Sequence, residues 1–260
     1  MSNKLKAIGY PIVTALVLIA IWICAVDVFK VPDYLIPAPR AVLGTLYTGY
    51  IEGKYWPDFF FTLRNTVVGY ASGACLALAL GAFVAESKTF ERFFFPYIVA
   101  LQATPKVAIA PLILVWFGYG MASKVVLIAL MTFFPVFINT ITGLRQTNAA
   151  MLDLMQVCSA SRLHVFLNVK LPSAAGHIFA GLQISVVLSL IGAVVSEFVS
   201  SSKGLGYLIQ SASVNMDVAT MFACLFSLIA IGVTGTQLMS VLHRRLVFWE
   251  RNSSQTPSTH

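Results

Sequence analysis

Residues 145–175 read RQTNAAMLDLMQVCSASRLHVFLNVKLPSAA, a polar island between the apolar stretches 123–144 and 176–199. Each flanking stretch is long enough to cross a bilayer as a helix. A segment this long between two membrane spans does more than connect them. It carries Arg145, Arg162 and Lys170, and the bias of basic residues toward the cytoplasm places it on that side. It ends in Leu171-Pro172, and proline is expected to stop any helix that precedes it. An amphipathic helix exposed on the cytoplasmic face of a multi-span protein is a docking element for a soluble partner.

The rest of the chain agrees with a membrane setting. Of 260 residues 58% are hydrophobic and 10% charged, less than half the charge of an ordinary soluble domain. The reading is an all-α membrane protein with six spans, roughly 10–29, 63–85, 93–117, 123–144, 176–199 and 219–242. The first run follows Lys4 and Lys6, and the poor cleavage sequence Ala25-Val26-Asp27 marks it as an uncleaved span. The net charge of +7 is spread over loops without an aromatic-interleaved patch, which argues against nucleic acid and for topology.

With both termini inside, the cytoplasmic segments hold Lys4, Lys6, Lys88, Arg92, Arg145, Arg162, Lys170, Arg244, Arg245 and Arg251. The outer segments hold Lys30, Arg40, Lys54, Arg64, Lys124 and Lys203, and Lys106 falls within a span, completing the 17 basic residues. The bias favours cytoplasmic termini. Segment 30–62 is then a long external connection whose end, YWPDFFFTLRNT, is expected to lie as a short helix at the interface. The tail 251–260 is polar and expected to be disordered.

No residue set assembles an enzyme. There is no HExxH, no G-x-S-x-G and no G-x-x-x-x-G-K-[ST]. Cys24, Cys75, Cys158 and Cys224 show neither metal-ligand spacing nor a disulfide framework, so no metal site and no catalytic residue is assigned. Gly69, Gly73, Ala77 and Gly81 form a stripe of small residues at i, i+4 spacing, a groove for close helix packing within the bundle or against a second subunit. The third span is interrupted by Pro96, Pro105 and Pro111, and broken helices at membrane depth face protein or a water-filled path.

Two ionisable residues in or near spans are candidates for the translocation path. Glu197 is either a helix-end acid bonded to the following serine-rich turn or a group lining a path or interface. Lys106 has three options: to snorkel, to pair with an acid, or to attract an anion.

The 145–175 segment resembles the signature of ABC-importer permeases: Glu-Ala-Ala, three residues, Gly, nine residues, Ile, one residue, Leu-Pro. Aligned on Leu171-Pro172, the isoleucine position is Val169, the glycine position is Ser159, and the Glu-Ala-Ala positions are Asp153-Leu154-Met155. Ala160-Ser161-Arg162 after the glycine position is also typical. Asp keeps the charge of Glu, whereas Ser takes a positive φ at greater cost than Gly. IPAPRAVLGTL, TLRNTVVGYASG, ATPKVAIAPLILVWFGYGMASK, FFPVFINTITGL and SEFVSSSKGLGYLI are similar to one branch, which imports sulfonates, taurine, nitrate or pyrimidine precursors of thiamine.

The resemblance implies a type I importer permease in the bacterial inner membrane. Two copies, expected here as a homodimer, would form a path through the lipid bilayer. A coupling helix over 153–166, with Leu154, Met155 and Cys158 on one face, would dock on a cytosolic ABC ATPase. ATP would be bound by that partner and no cofactor by this chain. An extracytoplasmic solute-binding protein would deliver the substrate. The stripe 69–81 and the fifth span are candidate dimer surfaces. The rival reading is a secondary transporter or channel driven by an ion gradient, which predicts acid or histidine relays in the spans and an internal repeat. A membrane enzyme is disfavoured by the missing constellations.

Overall fold

A computed structural model describes residues 2–249, so the tail expected over 251–260 lies outside the described residues. The chain is helical throughout them: α1 (Ser2–Asp27), α2 (Pro39–Ile51), α3 (Trp56–Glu86), α4 (Lys88–Ala103), a 3₁₀ turn Lys106–Ile109 leading into α5 (Ala110–Phe117), α6 (Met121–Arg145), α7 (Ala149–Val157), α8 (Arg162–Val165), a π-turn Phe166–Lys170, α9 (Leu171–Ser200), α10 (Leu205–Val214) and α11 (Val218–Leu246).

Among the described residues four helices are long and apolar enough to cross a membrane: Trp56–Glu86, Met121–Arg145, the continuous Arg162–Ser200, and Val218–Leu246. The bent pair Pro96–Ala103 and Lys106–Phe117 makes a fifth if taken as one span. α1 adds the shorter apolar helix Val13–Asp27. Trp22 pins α1 to the bundle, donating from Nε1 to the carbonyl of Pro37 at 3.1 Å and lying against Phe222 and Phe226 of α11.

α6 is the centre of the fold, packed along its length against α3 on one side and α9 on the other. Leu127, Ile128, Val136 and Phe137 are buried there. In lipid the drive for this contact is close van der Waals packing, and small residues permit it. The stripe Gly69, Gly73, Ala77, Gly81 faces α6: Gly69 meets the side chain of Ile128, Gly73 the backbone of Ala129, and Gly81 Thr140. The groove is therefore filled by the same chain, and the stripe is not a free surface for a second subunit. On the other side Gly181 lets α9 approach the Pro135 carbonyl, and Ser185 donates to the Thr132 carbonyl at 3.0 Å, satisfying a buried hydroxyl across the α6–α9 contact.

Three local expectations are corrected. The stretch 55–66 is not a separate interfacial helix, because Pro57 sits in the first turn of α3, Asp58 favours that positive helix end, and nothing after them breaks the helix. The third span, expected to be interrupted at Pro96, Pro105 and Pro111, breaks at only one of them: it bends by 83° between Ala103 and Lys106, while Pro96 lies inside α4 and Pro111 in the first turn of α5. The residue before a proline is pushed out of the helical region, and Pro105 itself is extended with ψ of 99°. Leu171-Pro172 does not end a helix. Leu171 N–H reaches back to the Phe166 carbonyl, five residues earlier, so the chain widens into a π-turn before the proline and stays helical from Arg162 to Ser200.

The connection between α1 and α3 contains a helix, α2, tied to α11 where Tyr50 donates to Ser227 Oγ at 2.7 Å. Burial pushes the Tyr50 phenol above its ordinary pKa, which keeps it a donor. α10, between α9 and α11, is a second helix that the apolar runs do not announce.

Candidate functional site: an exposed helix and a buried knot

The segment after α6 is capped at each turn. Asn148 accepts from the Ala150 amide at 2.9 Å and starts α7. α7 ends where Ser159 takes φ of +54°, with Ala160 N–H bonded to the Met155 carbonyl at 3.0 Å, a left-handed helix stop. Ser161 then accepts from the His164 amide at 3.3 Å and opens α8. The expected helix over 153–166 is thus two helices, because a left-handed residue cannot be continued. That residue is the one aligned with the glycine of the permease pattern. A serine held there stores roughly 1 kcal/mol relative to glycine.

The exposed apolar face of α7 is Met151, Leu154 and Val157, at 52%, 55% and 83% exposure, continued by the exposed Cys158. Met155, expected beside Leu154, is half-buried instead. Asp153, Ser159, Ser161 and Arg162 are exposed, Ala160 is half-buried, Leu171 is exposed and Pro172 half-buried. Val169 is buried. Below the break, Lys170 pairs with Glu86 at the last turn of α3 at 2.7 Å, and Trp249 Nε1 donates to the Pro172 carbonyl at 3.2 Å. A protruding, apolar-faced helix is thereby held between two rigid spans, α6 and α9, whose bases are clamped to the bundle.

The opposite end of the bundle is tightened by Glu197, which is fully buried. Its carboxylate lies 2.8 and 3.0 Å from Thr62 Oγ1 of α3 and accepts from the Gly206 amide of α10 at 2.8 Å. Thr62 Oγ1 also accepts from Leu205 N–H at 2.9 Å, and Asp58 accepts from Gly204 N–H at 2.6 Å. Gly204 has φ of +109°, and a side chain on it would overlap the Glu197 carboxylate. Lys124, also buried, donates to the carbonyls of Gly120 and Ser200 at 3.1 Å each, joining the start of α6 to the end of α9.

Glu197 therefore binds three helices together and lines no open path. Replacing it with alanine leaves the Thr62 hydroxyl and the Gly206 amide without their buried acceptor and is expected to cost about 3 kcal/mol, while Glu197→Gln retains part of this. Thermal unfolding of the two purified variants checks it: equal midpoints for Glu197→Ala and wild type would sink the assignment.

Lys106 sits at the bend between α4 and α5. Its ammonium donates to the Gln102 carbonyl at 3.1 Å and lies 4.7 Å from the Phe134 ring centroid. It pairs with no acid among the described residues. The sequence reading singled out Glu197 and Lys106 but not Thr62 or Asn65. It placed Arg64 and Lys124 in external segments only as topology charges. The presence of Asn65 and Thr62 in the entry to a span was the available signal, since polar groups at membrane depth need partners.

A bundle of apolar helices that leaves a capped, apolar-faced helix exposed at one end and locks the other around a buried acid is a multi-span membrane protein. Comparison with known proteins gives the family. Residues 77–248 match the binding-protein-dependent transport system inner membrane component, and the chain belongs to that family, the permeases of ABC importers.

A probable ABC transporter permease protein of Haemophilus influenzae is 39% identical over 223 residues, covering 86% of this chain and 90% of that protein. The riboflavin transport system permease protein RibX of Chloroflexus aurantiacus is 35% identical, covering 94% and 91%. The formylaminopyrimidine transport permease protein ThiX of Halalkalibacterium halodurans is 31% identical, covering 93% and 96%. The thiamine-precursor branch is among those the sequence motifs suggested; riboflavin is not. A chain of the MetNI methionine ABC transporter shares the fold, with a TM-score of 0.63 at 17% identity over 75% of this chain and 97% of that one.

Proposed function

We propose that this permease works as a pair of identical subunits in a bacterial inner membrane, with α7 as the element that a cytosolic ATPase grips. The observation that carries the reading is the apolar face Met151, Leu154, Val157 on a helix capped at both ends and clamped between α6 and α9. Six spans follow if α1, α3, the bent α4–α5 pair, α6, α8–α9 and α11 each cross once. An even number of crossings then puts both termini on the α7 side. ATP binding and hydrolysis by the partner would move α7, and the rigid α6 and α9 would carry that movement to the outer end, giving alternating access. The solute is a small molecule of the kind handled by this branch, a sulfonate, taurine, nitrate, a thiamine pyrimidine precursor or riboflavin, delivered by an external binding protein.

The test is co-purification. The full chain, extracted in mild detergent, is expected to bring down an ABC ATPase. A variant with residues 149–157 scrambled is expected to reach the membrane and bring down none. A native, folded chain that captures no ATPase even after crosslinking would move the ion-driven transporter ahead of this reading.

A further inference from the structure

At the outer end, between α3, the start of α6 and the turn 200–203, lies a cavity of about 650 Å³. That is room for a small solute. Arg64, Lys124 and Lys203 line it, and no aspartate or glutamate does. Arg64 and Lys203 are exposed, and neither side chain forms an ion pair among the described residues. Glu197 lies close enough to Lys124 to interact with its charge, but its oxygens are committed to Thr62 and Gly206. Two of the three positive charges are left without a counter-ion, in a recess whose other walls include Phe61 and Tyr119.

The second observation is Asn65. It lines the same cavity, is 2% exposed, and its Nδ2 is buried without a hydrogen-bond partner among the described residues. A buried donor left unmade costs roughly 1–3 kcal/mol, so one that persists has a use. An amide donor, a guanidinium and a free ammonium around one cavity match the acceptor-only oxygens of a sulfonate, phosphate or carboxylate group, the guanidinium offering two parallel N–H groups. The three-cation field would also raise the local concentration of an anion.

We propose that this cavity is a binding site for the oxyanion group of a small solute, held by Arg64, Lys203 and the Asn65 amide over a floor set by Lys124. The assignment rests on the importer reading for one point, that this end faces outward. α6 starts at the cavity and ends at Arg145 beside α7, about 36 Å away at the rise of a helix, so the site and the docking helix occupy opposite ends.

The experiment is calorimetric titration of the full-length permease in detergent with sodium ethanesulfonate, and with the neutral dimethyl sulfone, at constant ionic strength. Saturable binding of ethanesulfonate alone is expected. Arg64→Gln and Lys203→Gln are each expected to weaken it about 10-fold, the loss of one charge-assisted hydrogen bond. Asn65→Asp is expected to abolish it. Because Arg64 and Lys203 are exposed, their variants test the site even if Asn65→Asp fails to fold. No saturable binding, or binding unchanged in the Arg64→Gln/Lys203→Gln pair, overturns the proposal.

A lipid headgroup carries the same oxyanion chemistry. Equal ethanesulfonate affinity in phosphatidylcholine and phosphatidylglycerol nanodiscs supports a solute site. Retention of phosphatidylglycerol by wild type but not by Arg64→Gln, with no response to ethanesulfonate, makes it a headgroup site and overturns the solute assignment. ATPase capture measured on the same samples separates the two readings, since loss of anion binding with capture intact removes only the cavity.

Discussion

Gly73→Leu is expected to stop the protein accumulating as a folded species in the membrane. A Cβ at position 73 would stand 2.5 Å from the carbonyl oxygen of Ala129 and 2.8 Å from its Cα. Both are backbone atoms of α6, the helix on which α3 and α9 both pack, so no rotamer change relieves the contact. The helices must separate, and the van der Waals contact that holds them in lipid is lost along the α3–α6 seam. The cost is about 3 kcal/mol or more, the upper range for overpacking. Gly44 in α2 has no atom within 4 Å of the same added carbon, so Gly44→Leu is the matched control. Size-exclusion profiles and unfolding midpoints in detergent check both. A monodisperse Gly73→Leu protein with the wild-type midpoint would show that the seam is looser than described.

Leu154→Asp is expected to abolish uptake while leaving the permease folded and in the membrane. Leu154 is 55% exposed at the middle of the α7 face, so the monomer loses little. In a docked complex the new carboxylate would be buried without a partner, at a cost of about 3–5 kcal/mol, or at least about 100-fold in affinity. Uptake in cells and ATPase capture from detergent should fall together. Ser159→Gly is the companion variant: it keeps the left-handed turn at lower strain and should retain uptake. Wild-type uptake and capture in Leu154→Asp would remove α7 as the docking element.

The reach of sequence reasoning differs from one element to the next. The apolar runs and the polar island 145–175 were legible because the bilayer sets a length scale and excludes charge, constraints that act on residues one at a time. The role of position 159 as a turn was legible through alignment on Leu171-Pro172, and the left-handed serine now sits there. The boundaries of α7 were not, since Leu154, Met155 and Cys158 share a helical face in any frame and only the Ser159 stop shows which side is free.

The small-residue stripe announced a close helix contact but not its partner. A groove made by glycine is complementary to any helix, and the choice of α6 over a second subunit is a matter of chain path. Likewise Glu197 was visible as a costly charge near a span end and Lys124 only as a topology charge, while their bonds to Thr62, Gly206, Gly120 and Ser200 join residues up to 135 positions apart. By itself, then, the sequence determined a multi-span helical permease with a long polar segment between two of its spans, because hydrophobic length and turn chemistry are local. Only the tertiary structure decided which faces are spent on internal packing and which are left free, and where Asn65, Arg64 and Lys203 converge, because burial and the pairing of polar groups are properties of the packed bundle.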